Sequence, residues 1–154
     1  MLMDERVDPS VHYDLAICKA SAYGHLGVVQ ELLRDTRVDP SAQENYALRK
    51  ASVNGHLAIV QELLKDSRVD PSADDNLIID LVSAAGNVII IRVLLQDPRV
   101  DSSFAILNAS KKGDLDVLRV LLMNSHEDSS DYYSEEIRMA KNGHLEYVVQ
   151  KLTR

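Results

Sequence analysis

Arg37-Val38-Asp39-Pro40-Ser41 is the phrase on which the fold of this chain turns. The same five residues stand at 6–10 and 68–72, and a near copy, Arg99-Val100-Asp101-Ser102-Ser103, comes next, each 31 residues after the last. A second marker keeps step with it: Gly24-His25 and Gly55-His56, then Gly86-Asn87 and Gly113-Asp114, then Gly143-His144. A pair of leucines follows each of the first four, at 32–33, 63–64, 94–95 and 121–122. A fixed period of this length describes a stack of similar small units, each resting on its neighbours, rather than a globule around one centre.

The unit 37–67 reads most clearly. Asp39-Pro40-Ser41 is turn chemistry, because proline fixes φ and Asp or Ser side chains bond nearby backbone N–H groups. From Tyr46 onward, Tyr46, Ala47, Leu48 and Ala51 have the spacing of a short helix. Asn54-Gly55 ends it, glycine taking the left-handed conformation that closes a helix. A second helix begins near His56, with Leu57, Ile59, Val60, Leu63 and Leu64 on one face and Lys65 near its C-terminus, where positive charge suits the dipole. Helices this short do not persist alone in water, so each unit must bury its faces against the next.

Reading down the units gives the expected core columns. The first helices offer Leu15, Tyr46, Leu77 and Phe104, then Ile17, Leu48, Ile79 and Ile106. A small position follows at Ala20, Ala51, Val82 and Ala109, and a serine column at Ser21, Ser52, Ser83 and Ser110. The second helices offer Leu26, Leu57, Val88, Leu115 and Leu145, then Val29, Val60, Ile91, Leu118 and Val148.

The stretch Ala51-Ser52-Val53-Asn54-Gly55-His56-Leu57-Ala58-Ile59-Val60-Gln61-Glu62-Leu63-Leu64 and its copies resemble the ankyrin-repeat family over essentially the whole chain, in divergent form of the kind seen in large DNA viruses and unicellular eukaryotes. The family's Thr-Pro-Leu-His opening is replaced here by Tyr46-Ala47-Leu48-Arg49 and its counterparts, and the period is 31 rather than 33, which implies tighter turns. The expected fold is therefore all-α. It is a single ankyrin-repeat solenoid of about five stacked helix-turn-helix units, at roughly 6–36, 37–67, 68–98, 99–128 and 129–154.

The repeat breaks in three places. In the fourth unit nothing corresponds to 42–45, so its turn should be clipped. In the fifth, a polar loop, 124–133, replaces the Arg-Val-Asp-Pro phrase, Ile137-Arg138-Met139-Ala140 lies one residue nearer its glycine, and Lys151 stands where earlier units have an inward Leu, as an end-cap would. At the other end, Leu2-Met3-Asp4-Glu5-Arg6 aligns with Leu64-Lys65-Asp66-Ser67-Arg68, so the chain is expected to open mid-unit, on the tail of a second helix, either because the gene does or because it is a piece of a longer array.

Composition narrows the function. A net charge of −7 opposes nucleic acid and anionic lipid, and the apolar runs are too short and too interrupted by charge to span a membrane. Cys18 stands alone, which favours a reducing compartment; the expected location is cytoplasmic, with the nucleus open. His25, His56 and His144 repeat one position in different units, too far apart to share a metal, and are read as closing the turn between helices; His12 and His126 fall in loops. Cys18 takes a position that varies between units, as Arg49, Asp80 and Leu107 in its sisters, and the sequence offers no third orienting group for nucleophilic chemistry. Asp8, Asp39, Asp70 and Asp101 stand beside Arg6, Arg37, Arg68 and Arg99, which suggests a ladder of exposed ion pairs and turn bonds. Neither cofactor, metal nor enzymatic activity is expected.

The resemblance implies a protein partner held on the concave face, by turn tips and the exposed side of each first helix. Positions that vary there while the core columns stay constant are the candidates: Tyr13, Asp14, Lys19 and Tyr23; Gln43, Glu44, Asn45, Lys50, Val53 and Asn54; Asp75, Asn76 and Leu81; Lys111 and Lys112. Tyr23, Val53 and Leu81 are the expected apolar anchors. The alternatives are an adaptor fragment that recruits other machinery, or a structural spacer. The chain is expected to be a monomer, although Ile89, where other units have Gly27, Ala58, Asp116 and Glu146, is either a self-association patch or covered by the clipped fourth unit.

Overall fold

A computed structural model describes residues 13–125 and 134–154. Every regular element among them is helical: α1 Tyr13–Ala22, α2 Leu26–Leu33, α3 Ala42–Val53, α4 Leu57–Leu63, α5 Ala73–Ala84, α6 Val88–Leu94, α7 Ser103–Lys112, α8 Leu115–Asn124, α9 Ser134–Met139 and α10 Leu145–Leu152. The expectations for 2–6, for the phrase at 6–10, for His12 and His126, and for the fifth unit's loop from 126 to 133 lie outside the described residues.

The chain forms two compact units, Met1–Asp70 and Pro71–Arg154. Within the first, α1 packs on α3 and α2 on α4, while each pair is also joined across its turn. The second repeats this order: α5 packs on α7, α6 on α8, and α10 closes against α7 and α8.

The turn inside each pair is a glycine-closed helix end. Gly55 stands at φ +80, its N–H bonds the Ser52 carbonyl at 3.2 Å, and the His56 N–H reaches back to Ala51 at 2.9 Å. This is the double bond pattern that satisfies the last carbonyls of a helix. Gly86 and Gly113 repeat it through Ser83 with Val82 and Ser110 with Ala109. In the last copy, one residue shorter, the backbone instead passes through a π-helical turn, Ala140–His144, with Gly143 at φ +91.

Most core columns are buried as their spacing requires. Ile17, Leu48, Ile79 and Ile106 are fully enclosed, as are Val29, Val60, Ile91, Leu118 and Val148, and the small and serine columns are buried with them. Each such Ile, Leu or Val contributes about 1.5–3 kcal/mol by leaving water. The column beginning at Leu15 is different. Leu15 is 53% exposed and Phe104 60%, with Tyr46 and Leu77 half-buried. Residues two apart on a helix point about 200° away from each other, so Leu15 and Ile17 cannot share one core face. Leu115 is exposed as well, at the start of α8, while Leu26, Leu57, Val88 and Leu145 are half-buried.

The turn arginines also pair differently from expectation. Arg37 Nε and Nη2 meet the two oxygens of Asp35, not Asp39, at 3.0 and 2.7 Å. Arg68 clasps Asp66 and Arg99 clasps Asp97 in the same bidentate way, each with its own N–H on the same carboxylate. The later aspartate is occupied by its serine: Asp39 Oδ1 accepts from Ser41 N–H at 2.9 Å and from its hydroxyl at 2.6 Å. Asp101 does the same for Ser103. Arg37 accordingly holds the Asp35 carboxyl down to about 2, and Arg68 lowers that of Asp66. Arg68 Nη1 also donates to the Val38 carbonyl, 30 residues earlier, at 2.8 Å.

Before α3 becomes right-handed it makes a three-residue left-handed turn, Gln43, Glu44 and Asn45 at φ +52, +56 and +60. Asp74, Asp75 and Asn76 repeat it at the start of α5. Left-handed backbone costs a side-chain-bearing residue roughly 1–2 kcal/mol, so something must hold it. The Asn45 side-chain oxygen accepts from the Asp70 N–H at 3.0 Å, and that of Asn76 from the Asp101 N–H at 2.8 Å. The turn before α7 has no such excursion: Ser102 at φ −100 leads directly into the helix, the clipped form expected of the fourth unit.

Candidate functional site

Four of the fifteen nominated residues come together. Lys19 and Tyr23, from α1 and its end, and Lys50 and Asn54, from α3 and its end, line one groove of about 380 Å³ in the first compact unit. Leu15, Cys18, Ala22 and Tyr46 complete its lining. Tyr23 is 72% exposed at the rim. The Tyr46 ring lies under two cations, with the Arg49 guanidinium 5.0 Å and the Lys50 ammonium 5.1 Å from its centroid. Such contacts contribute about 0.5–1 kcal/mol at exposed sites and hold the lysine over the ring.

The groove's geometry is set by links between the two helix pairs. The Asn54 amide donates to the Ala22 carbonyl at 2.8 Å, and His56 Nε2 lies 3.0 Å from the same oxygen. His56 therefore ties its own pair to the preceding one, rather than only closing its own turn. Gly24 leaves room for it: a Cβ there would stand 2.9 Å from the His56 ring. His25 and His144 are exposed.

The other nominated residues are dispersed. Tyr13 and Asp14 open α1. Gln43 and Glu44 are exposed on the left-handed turn, but Asn45 is buried, its side chain committed to the Asp70 amide, so it offers no surface to a partner. Asp75 is exposed, whereas half-buried Asn76 is engaged by Asp101. Val53 is half-buried; Leu81, on α5, is 36% exposed. Lys111 and Lys112 are exposed at the end of α7. The spacing of Leu15 and Tyr46 predicts core positions, but both line the groove. A signal for its basic character was present, since Lys19 and Lys50 are one period apart.

In the second compact unit, a cleft of about 530 Å³ lies among α6, α8 and the turns before them, lined with mixed charge by Arg92, Asp114, Asp116 and Arg119. Arg119 is paired with Glu146 at 2.5 Å. Ile89 is 61% exposed on α6, so the clipped fourth unit does not cover it. Lys151 is exposed and meets Glu136 at 2.6 Å. Asp80 is half-buried on α5, with one carboxylate oxygen enclosed and without a hydrogen-bond partner among the described residues. Burial, and then the negative charge of Asp101, push its carboxyl up to about 6.

Among the described residues, no group of three or more His, Cys, Asp or Glu side chains could hold a metal ion, and no helix is long and apolar enough to cross a membrane. No protein-family model matches the sequence, and no curated protein matches it.

Proposed function

We infer that this chain is an ankyrin-type repeat solenoid acting as a non-enzymatic scaffold, which binds a partner protein along the exposed side of its first helices, the expected concave side. The observation that carries this reading is the meeting of Lys19, Tyr23, Lys50 and Asn54 around one open groove, while the columns beside them are spent on packing. A rigid stack presents such side chains at little ordering cost, which is how a surface without catalytic groups gains affinity. The compartment proposed is the cytoplasm, with the nucleus open; no nucleic acid, membrane or cofactor is proposed.

The test is capture of binding proteins from a cell extract by immobilised wild type and by a Tyr23→Glu, Leu81→Glu variant, both checked for helicity by circular dichroism. A protein retained by the first and lost by the folded second supports the reading. Identical capture, or none, removes it. Exposed Ile89 favours one second reading, a self-associating spacer. Under it, the sedimentation mass rises with concentration and Ile89→Glu abolishes the rise; a concentration-independent monomer mass rejects it.

A further inference from the structure

The charge on the α1–α3 groove is opposite to that of the chain. The protein carries a net −7, yet the ionisable side chains Lys19 and Lys50 in the groove lining are cations, with Arg49 beside them over the Tyr46 ring. The turn arginines Arg37, Arg68 and Arg99 are matched to aspartates. Among the described residues neither Lys19 nor Lys50 meets a carboxylate, and Lys50 is held only over a ring. Beside the two lysines the lining is Leu15, Ala22, Tyr23 and Tyr46, apolar or aromatic, with Cys18 and Asn54.

The geometry points to an acidic segment of a partner protein as the occupant of this groove: a bulky apolar side chain set against Leu15, Tyr23 and Tyr46, flanked by carboxylates that reach Lys19 and Lys50. This rests on the scaffold reading above and names the chemistry of its partner. A volume of about 380 Å³ lies at the lower end of ligand-sized clefts and suits one or two inserted side chains rather than a folded body. Burial of the anchor supplies affinity, and the two lysines supply orientation and rejection of basic segments. A nucleic acid strand, with a charge at every phosphate, would have to approach a chain of net −7 for the sake of a few cations.

A random peptide library displayed on phage, selected on the wild-type protein, tests this. Enriched peptides should place Asp or Glu on both sides of an aromatic or aliphatic residue. A labelled copy of the leading peptide should bind more weakly as NaCl rises from about 0.05 M to about 0.5 M. Lys19→Glu, Lys50→Glu should weaken it roughly tenfold or more. Tyr23→Ala should also weaken it, while Arg34→Glu, Lys65→Glu, at exposed positions just past α2 and α4 and outside the groove lining, leaves it unchanged, all variants retaining wild-type helicity. Three results would overturn the inference: enrichment of neutral or basic peptides, indifference of the acidic peptide to lysine reversal, or tighter binding of single-stranded DNA of equal charge. If neutral or basic peptides bind and are lost with Tyr23→Glu, the scaffold reading stands and only the acidic partner falls. If no peptide responds to any variant of this face, both fall together.

Discussion

Asp80 should be a liability that the protein carries at neutral pH and sheds in mild acid. Its carboxyl is raised from 3.8 to about 6, first by burial and second by Asp101, whose own carboxylate is spent on Ser103. A rise of about two units corresponds to about 3 kcal/mol. Asp80 is only half-buried, so solvent screening brings the expected cost to roughly 1–2 kcal/mol. Between 3.8 and about 6 the folded chain binds this proton more tightly than the unfolded chain does. Stability therefore rises as pH falls through about 6 and gains nothing further from this group below the unfolded value. Asp80→Asn keeps the shape and removes the charge. Urea unfolding followed by far-UV circular dichroism, near pH 4 and near pH 8, should show the variant more stable relative to wild type at the higher pH, by roughly 1–2 kcal/mol. The Asp35 and Asp66 pairs titrate in both proteins and cancel in the comparison. A difference between variant and wild type that is the same at both pH values would refute the reasoning.

The remaining predictions concern backbone and turns. Gly24→Ala and Gly55→Ala both place a side chain at φ near +80 and should each lose about 1 kcal/mol or more, but only Gly24→Ala also meets the His56 ring, so it should lose more. In a His56→Ala background that excess should vanish; its persistence would assign the loss elsewhere. Asn76→Ala leaves the Asp101 amide without its acceptor and should cost about 1–3 kcal/mol in a urea titration, whereas an unchanged midpoint would mean that the turn is held by other bonds. Glu44→Gly relieves a left-handed residue whose side chain is exposed and should raise stability by roughly 1 kcal/mol; a lower melting temperature would show that Glu44 makes a compensating interaction.

How far these features could be read beforehand depends on the range of the interaction that sets them. Helix order, the glycine turns and the columns through Ile17, Ala20 and Val29 follow from period and spacing, because each is a local pattern repeated in register. The Leu15 column has the same period and the same chemistry but the opposite facing, and composition alone does not separate a core column from the wall of a groove. Arg37 has an aspartate two residues to either side, so its partner is decided by three-dimensional competition with Ser41. The left-handed turn is the least legible, since in Gln43-Glu44-Asn45 only Asn45 has a local tendency toward it. Its long-range support is a bond from Asn45 to an amide 25 residues further on. The groove is half legible: Lys19 and Lys50 recur one period apart at a position that changes in later units, while Tyr46 has the spacing of a core residue.

Five side-chain links between successive helix pairs share one arithmetic. Asn54 and His56 reach Ala22 across 32 and 34 residues, Arg68 reaches Val38 across 30, and Asn45 and Asn76 each reach an amide 25 residues on. The loop closed by each of these five links is thus about one period long, and the chain entropy lost in closing it is nearly the same each time. An array written in this way can gain or lose whole copies without longer loops to close, so its folding rate should depend weakly on how many copies it has. A duplication in step with the period carries every partner along with its residue; one out of step separates them all at once.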